Sequence, residues 1–128
     1  MKPLINGLET TLKLIIAGSR NIDYYTTWDL NEIIISKFKI YPTEIVCGLA
    51  RGPDLLGRTW AMDHKVPIKE FPANWDQFGK QAGFIRNVEM SHYADYLLAL
   101  WDGQSNGTRH MISAMNAIKK PFHVELCE

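Results

Sequence analysis

The sequence predicts a single α/β domain, a Rossmann-like three-layer α/β/α sandwich around a five-stranded parallel sheet. Three observations carry this expectation. Short apolar runs ending in turn residues recur along the chain, helical patterns fill the gaps between them, and 128 residues suffice for one hydrophobic core but not two. Strand, helix, strand repeated in this way is the βαβ unit, whose crossovers are right-handed. The expected strand order is 3-2-1-4-5, which makes the first and fourth strands neighbours at the centre.

Each element follows from its own pattern. Residues 12–17 (LKLIIA) form the first strand and run into Gly18-Ser19-Arg20. Residues 24–38 place Trp28, Leu30, Ile33, Ile34 and Phe38 at helical spacing, with Asp23 as N-cap. Residues 44–47 (EIVC) form the second strand and end in Gly48. The second helix, 55–64, follows Pro53-Asp54 and carries Leu56, Trp60 and Ala61 on one face. Residues 67–71 (PIKEF) are the third strand, and residues 80–92 the third helix, with Phe84, Ile85, Val88 and Met90 as its apolar set. The fourth strand, 96–101 (YLLALW), ends in Asp102-Gly103. Residues 108–119 form the fourth helix through Met111, Ile112, Met115 and Ile118, and Lys119-Lys120 suits its C-terminal end. Residues 122–127 (FHVELC) are the fifth strand, and Trp28, Trp60 and Trp101 are expected in the core.

Composition narrows the function. Fourteen basic residues balance fourteen acidic ones, and a 46% hydrophobic chain with 4 Trp, 5 Tyr and 5 Phe is not disordered. Zero formal charge disfavours a nucleic-acid partner, because Lys and Arg neutralising phosphates drive that binding. Cys47 and Cys127 make neither a disulfide framework nor a CxxC zinc pair, and the histidines at 64, 92, 110 and 123 lack metal-site spacing, so no metal or cofactor is expected. Glu9 and polar residues stand where a signal peptide needs an apolar run, and no apolar stretch approaches the ~18 residues that cross a bilayer. The expectation is a cytoplasmic domain that does not engage a membrane.

Ligands of open α/β sheets bind beyond the carboxyl ends of strands, where strand order reverses. There the expected order gathers three glycine-bearing loops: Gly18-Ser19-Arg20; residues 48–54 (GLARGPD), with Gly48, Ala50, Gly52 and Asp54; and residues 102–108 (DGQSNGT), with Asp102, Gly103, Ser105, Gly107 and Thr108. Glycines admit a ligand close to the backbone, hydroxyls donate to it, and a helix start binds anions. The last loop reads equally as a plain strand-to-helix turn capped by Asn106 or Thr108. It is not a Walker A loop, and the first strand lacks GxGxxG. Arg20 and Arg86 suit a phosphate or carboxylate, though a lone arginine is as readily solvated or paired. Asp54 either caps a helix or holds a ribose hydroxyl, and Asp102 has the same two readings. Trp75 either stacks on a base or packs in the core, Lys80 either neutralises a phosphate or is solvated, and His110 is a surface helix position near the site.

Taken together, GSR at 18–20, GLARGPD at 48–54, FPANW at 71–75, GKQAGFIRN at 79–87 and DGQSNGT at 102–108 resemble the YspA-like branch of the SLOG superfamily. That superfamily includes the Smf/DprA proteins and the Lonely Guy phosphoribohydrolases. The resemblance spans residues 12–124 and keeps the motif order. It implies a Rossmann-like domain that binds nucleotides or nucleotide-derived ligands, ADP-ribose-like or cyclic, at these loops, in phage or bacterial systems. Lonely Guy enzymes cleave an N-glycosidic bond with a Gly-Gly-x-Gly-Thr-x-x-Glu motif and an upstream arginine. Arg86 matches that arginine and Gly107-Thr108 the Gly-Thr, but Met111 stands where the glutamate belongs, and a methionine has no acid/base chemistry.

Three functions follow in order. The first is a sensor or sequestering module: Ser19, Arg20, Ser105, Gly107 and Thr108 on phosphate, Asp54 on ribose, Arg86 and Asn87 on the ligand or neighbouring loop. The second is a nucleotide N-glycoside hydrolase with Asp54 or Asp102 as carboxylate and Arg86 as anion clamp. The third is single-stranded DNA binding, as in the DprA relatives. A homodimer is a further expectation, since relatives self-associate.

Overall fold

The computed structural model describes residues 4–5, 8–9, 11–38, 41–48 and 52–127; the expected ligand contact Ala50 lies outside them. In chain order the elements are β1 (Leu4–Ile5), β2 (Leu8–Glu9), β3 (Lys13–Gly18), α1 (Thr27–Lys37), β4 (Glu44–Cys47), α2 (Pro53–Asp63), β5 (Ile68–Glu70), α3 (Trp75–Phe78), α4 (Ala82–Tyr93), β6 (Tyr96–Trp101), α5 (Asn106–Ala117) and β7 (Phe122–Leu126), with a 3₁₀ turn at Gly79–Gln81 before α4.

Strands β3 to β7 form one parallel sheet in the order β5-β4-β3-β6-β7, the expected 3-2-1-4-5. Leu14, Ile15, Ile16 and the four residues from Leu97 to Leu100 are fully buried, because β3 and β6 are covered on both faces. Alternate residues serve opposite layers. Leu14, Ile16, Ile45 and Leu98 pack against Leu30 and Ile34 of α1 and Trp60 and Ala61 of α2. Ile15, Ala17, Val46, Leu97 and Ala99 pack against Met90 of α4 and Met111 and Met115 of α5. The result is the expected three-layer sandwich.

Helix α2 lies unusually close to β3. A Cβ at Gly57 would stand 2.5 Å from the Ile16 Cβ, so the glycine is what permits that approach.

Several local expectations are corrected. Helix α1 begins at Thr27, not 24, and its N-cap is Thr26 in place of Asp23. The Thr26 hydroxyl accepts from the Asp29 N–H (3.1 Å) while the Asp29 carboxylate accepts from the Thr26 N–H (2.9 Å), a capping box. Trp28 is 70% exposed and not in the core, since it lies roughly 200° around the helix from Leu30. Trp101 is only half-buried, with its Nε1–H on the Ser105 carbonyl (3.1 Å). The third helix does not start at Lys80: α3 and the 3₁₀ turn precede it, and Phe84 and Val88 are exposed. Helix α5 starts two residues earlier than expected, with Ser105 as N-cap. The antiparallel pair β1–β2 was unforeseen, although Asn6-Gly7 between Ile5 and Leu8 is a two-residue hairpin signal. Among the described residues, no helix is long and apolar enough to cross a membrane.

Candidate functional site

The site grows from the carboxyl ends of β3 and β6, the central neighbours where strand order reverses. Pairing carries past the strand end: the Ser19 N–H donates to the Leu100 carbonyl (3.0 Å). Ser19 Oγ, almost wholly buried, accepts from the Asp102 N–H (3.1 Å) and lies 2.6 Å from Ser105 Oγ. Ser105 Oγ in turn reaches Thr108 Oγ1 at 3.4 Å. Three hydroxyls are thus collected at the first turn of α5. Ser105 caps that helix without a side-chain bond, so its hydroxyl is committed to the cluster and not to the helix N–H groups.

Asp102 shapes this loop. Its Oδ1 accepts from the Gln104 and Ser105 N–H groups (2.9 and 2.8 Å), and those bonds hold the carboxyl down at about 2. An acid held this low stays ionised at neutral pH and cannot serve as a proton donor there.

A cavity of about 430 Å³ opens above these strand ends. Its floor includes Gly18, Ser19, Ser105, Gly107 and Thr108; Arg20, Lys80 and Arg86 bring positive charge, Asp54 the opposing carboxylate, and Trp75 and Phe84 aromatic wall. That volume lies within the range of small-molecule sites, about 300–1,000 Å³. Among the described lining residues, three cations against one carboxylate make an electropositive enclosure suited to an anion.

Arg86 is the central fastener. Its Nη1 donates to the Gly48 and Phe71 carbonyls and its Nε to Asn87 Oδ1 (3.3 Å), tying α4 to the ends of β4 and β5. Burial pulls the guanidinium pKa down; nearby Asp54 opposes this and Arg20 adds to it. The Arg86 Nε can only donate, which fixes the Asn87 amide with its oxygen toward Arg86. Asn87 Nδ2 therefore donates to the Gly107 carbonyl (3.2 Å) and to His110 Nδ1 (3.2 Å), latching α4 to α5. The proton of the neutral imidazole then resides on Nε2, and burial holds its pKa below the ordinary 6.5.

The cavity gathers Gly18, Ser19, Arg20, Asp54, Arg86, Asn87, Ser105, Gly107 and Thr108 from the residues that the sequence singled out. It leaves out Gly48, Gly52, Asp102 and Gly103. Gly48 makes room for Arg86, whose Cζ would lie 2.8 Å from a Cβ there. Gly52, at φ +79°, faces the Ser19, Ile22 and Arg20 carbonyls, and Gly103, at φ +81°, turns the loop beside Leu126. Trp75 and Lys80 both line the cavity; Asn21, Gly83, Phe84 and Met90 line it too and were not singled out for it. The Asn87–His110 latch was also missed, because it depends on how α4 and α5 pack. Met111 sits at the cavity, 1% exposed. Among the described residues, no group of three His, Cys, Asp or Glu is placed to hold a metal ion.

No family model matches this chain, and no solved structure matches it. The Gene 61 protein of Mycobacterium phage D29 is 36% identical to it over 107 residues, which cover 77% of this chain and 83% of the phage protein.

Proposed function

This chain belongs to the family of the Gene 61 protein of Mycobacterium phage D29, and we propose that it binds a nucleotide or nucleotide-derived ligand as a sensor or sequestering module. The observation that carries the reading is the Ser19–Ser105–Thr108 hydroxyl cluster at the start of α5, inside a cavity that Arg20, Lys80 and Arg86 make positive. Hydroxyls, helix-start N–H groups and arginines together are the donor set that a phosphate takes. The likeness of the loop motifs to the YspA-like SLOG branch supports the same chemistry.

Binding without turnover is preferred because the cavity is poor in acid/base groups. Asp102 lies outside it, its carboxylate engaged by the Gln104 and Ser105 N–H groups, and Met111 stands where a hydrolase of the Lonely Guy type has its glutamate. A second reading, an N-glycoside hydrolase, rests on Asp54: it lines the cavity, 5% exposed and beside Arg86, and is the one carboxylate among the described lining residues.

Mass spectrometry of the purified protein incubated with AMP, ADP-ribose, NAD and cyclic dinucleotides tests this. The module retains an intact ligand in the protein fraction. Free base or ribose phosphate accumulating beyond one equivalent replaces it with the hydrolase, and no retained or altered nucleotide overturns both.

A further inference from the structure

Resting on the anion-site reading above, we propose that Trp75 and Phe84 form a second subsite of the same cavity, one that takes a planar heteroaromatic ring. Both rings line the cavity, yet both stay well exposed, at 51% and 44%. Neither serves as a core anchor: no residue of α3 or of the following 3₁₀ turn is buried, and Phe84 is not among the buried residues of α4. Large apolar rings on the wall of a polar-floored cavity are the groups whose desolvation a flat ligand can exploit.

The local construction fits that use. Phe84 is backed on one face by the His110 imidazole, with centroids 4.4 Å apart and planes inclined by 29°. Asn87 holds that imidazole through Nδ1, so the phenyl ring rests on a fixed support. Trp75 stacks on no ring among the described residues, and its Cη2 would lie 3.4 Å from a Cβ at Gly83. The indole edge thus reaches the start of α4 at Gly83, next to Phe84 in sequence. The described lining is therefore of two chemical kinds, hydroxyls from the β3 and β6 ends and aromatic rings from α3 and α4. A phosphorylated sugar that carries a flat base matches both kinds; a sugar phosphate alone matches one.

Equilibrium binding of AMP, GMP and ribose 5-phosphate to the wild type and to W75A, F84A and W75F tests the subsite. Stacking at a ring is worth enough to make the better-bound nucleoside monophosphate bind about tenfold or more tighter than ribose 5-phosphate. W75A and F84A each lose about tenfold in affinity for that nucleotide and leave ribose 5-phosphate unchanged, while W75F keeps most of the affinity. If ribose 5-phosphate binds as tightly as both nucleotides, or W75A weakens all probes alike, the aromatic subsite is wrong and the anion site stands. If none of the three binds, both fall.

Discussion

Ser19 and Asp102 show how single side chains build the site. The Ser19 hydroxyl accepts from the Asp102 N–H, and the Asp102 carboxylate accepts from the Gln104 and Ser105 N–H groups, so each depends on the loop that the other shapes. The pH consequence has a definite sign. Asp102 is held at about 2 against an ordinary 3.8, and a carboxyl depressed in the folded state stabilises fully above its unfolded value and loses this as pH falls through the folded one. Stability therefore declines between about pH 4 and about pH 2 partly through Asp102. Asp102→Asn keeps an Oδ1 that accepts the same two N–H groups but takes up no proton. Its denaturation midpoint falls less over that window than the wild type's; an equal fall contradicts the assignment. At this scale the hydroxyls of Ser19, Ser105 and Thr108 were legible, because glycine loops tie them to strand ends. The Asn87–His110 latch was not, since residues 23 apart meet only through helix packing.

Elements were legible where period and punctuation agree. The runs LIIA and LLAL read as strands buried on both faces, and they are the sheet's central pair. Boundaries slipped where short-range side-chain bonds decide them: Thr26 and Asp29 reset the start of α1, and Ser105 that of α5. Helix α3 escaped notice because four residues show no helical period. The close contact of α2 with β3 gives a prediction at this scale. Gly57→Ala improves helix propensity by about 1 kcal/mol, but its methyl must enter space held by the buried Ile16 side chain. Overpacking of about 1–3 kcal/mol outweighs that gain. Chemical denaturation shows net destabilisation of Gly57→Ala; a variant as stable as the wild type means that α2 shifts freely on the sheet.

Across the whole molecule, strand order is what turns scattered motifs into a site. With β3 and β6 adjacent, loops more than 80 residues apart meet, as in the 2.6 Å approach of the Ser19 and Ser105 hydroxyls. The order itself was legible from alternating elements and right-handed crossovers. Which convergent glycines face inward was not: Gly48 and Gly52 look alike in sequence to Gly18 and Gly107, yet one accommodates Arg86 and the other a neighbouring loop. Whether this switch-point cavity takes a nucleotide phosphate, as proposed, is read out by amide chemical-shift mapping during titration with AMP and GMP. A nucleotide seated there produces saturable shifts concentrated at residues 18–21, 83–87 and 105–108. Saturable shifts confined to other surfaces, or none with either nucleotide, contradict it.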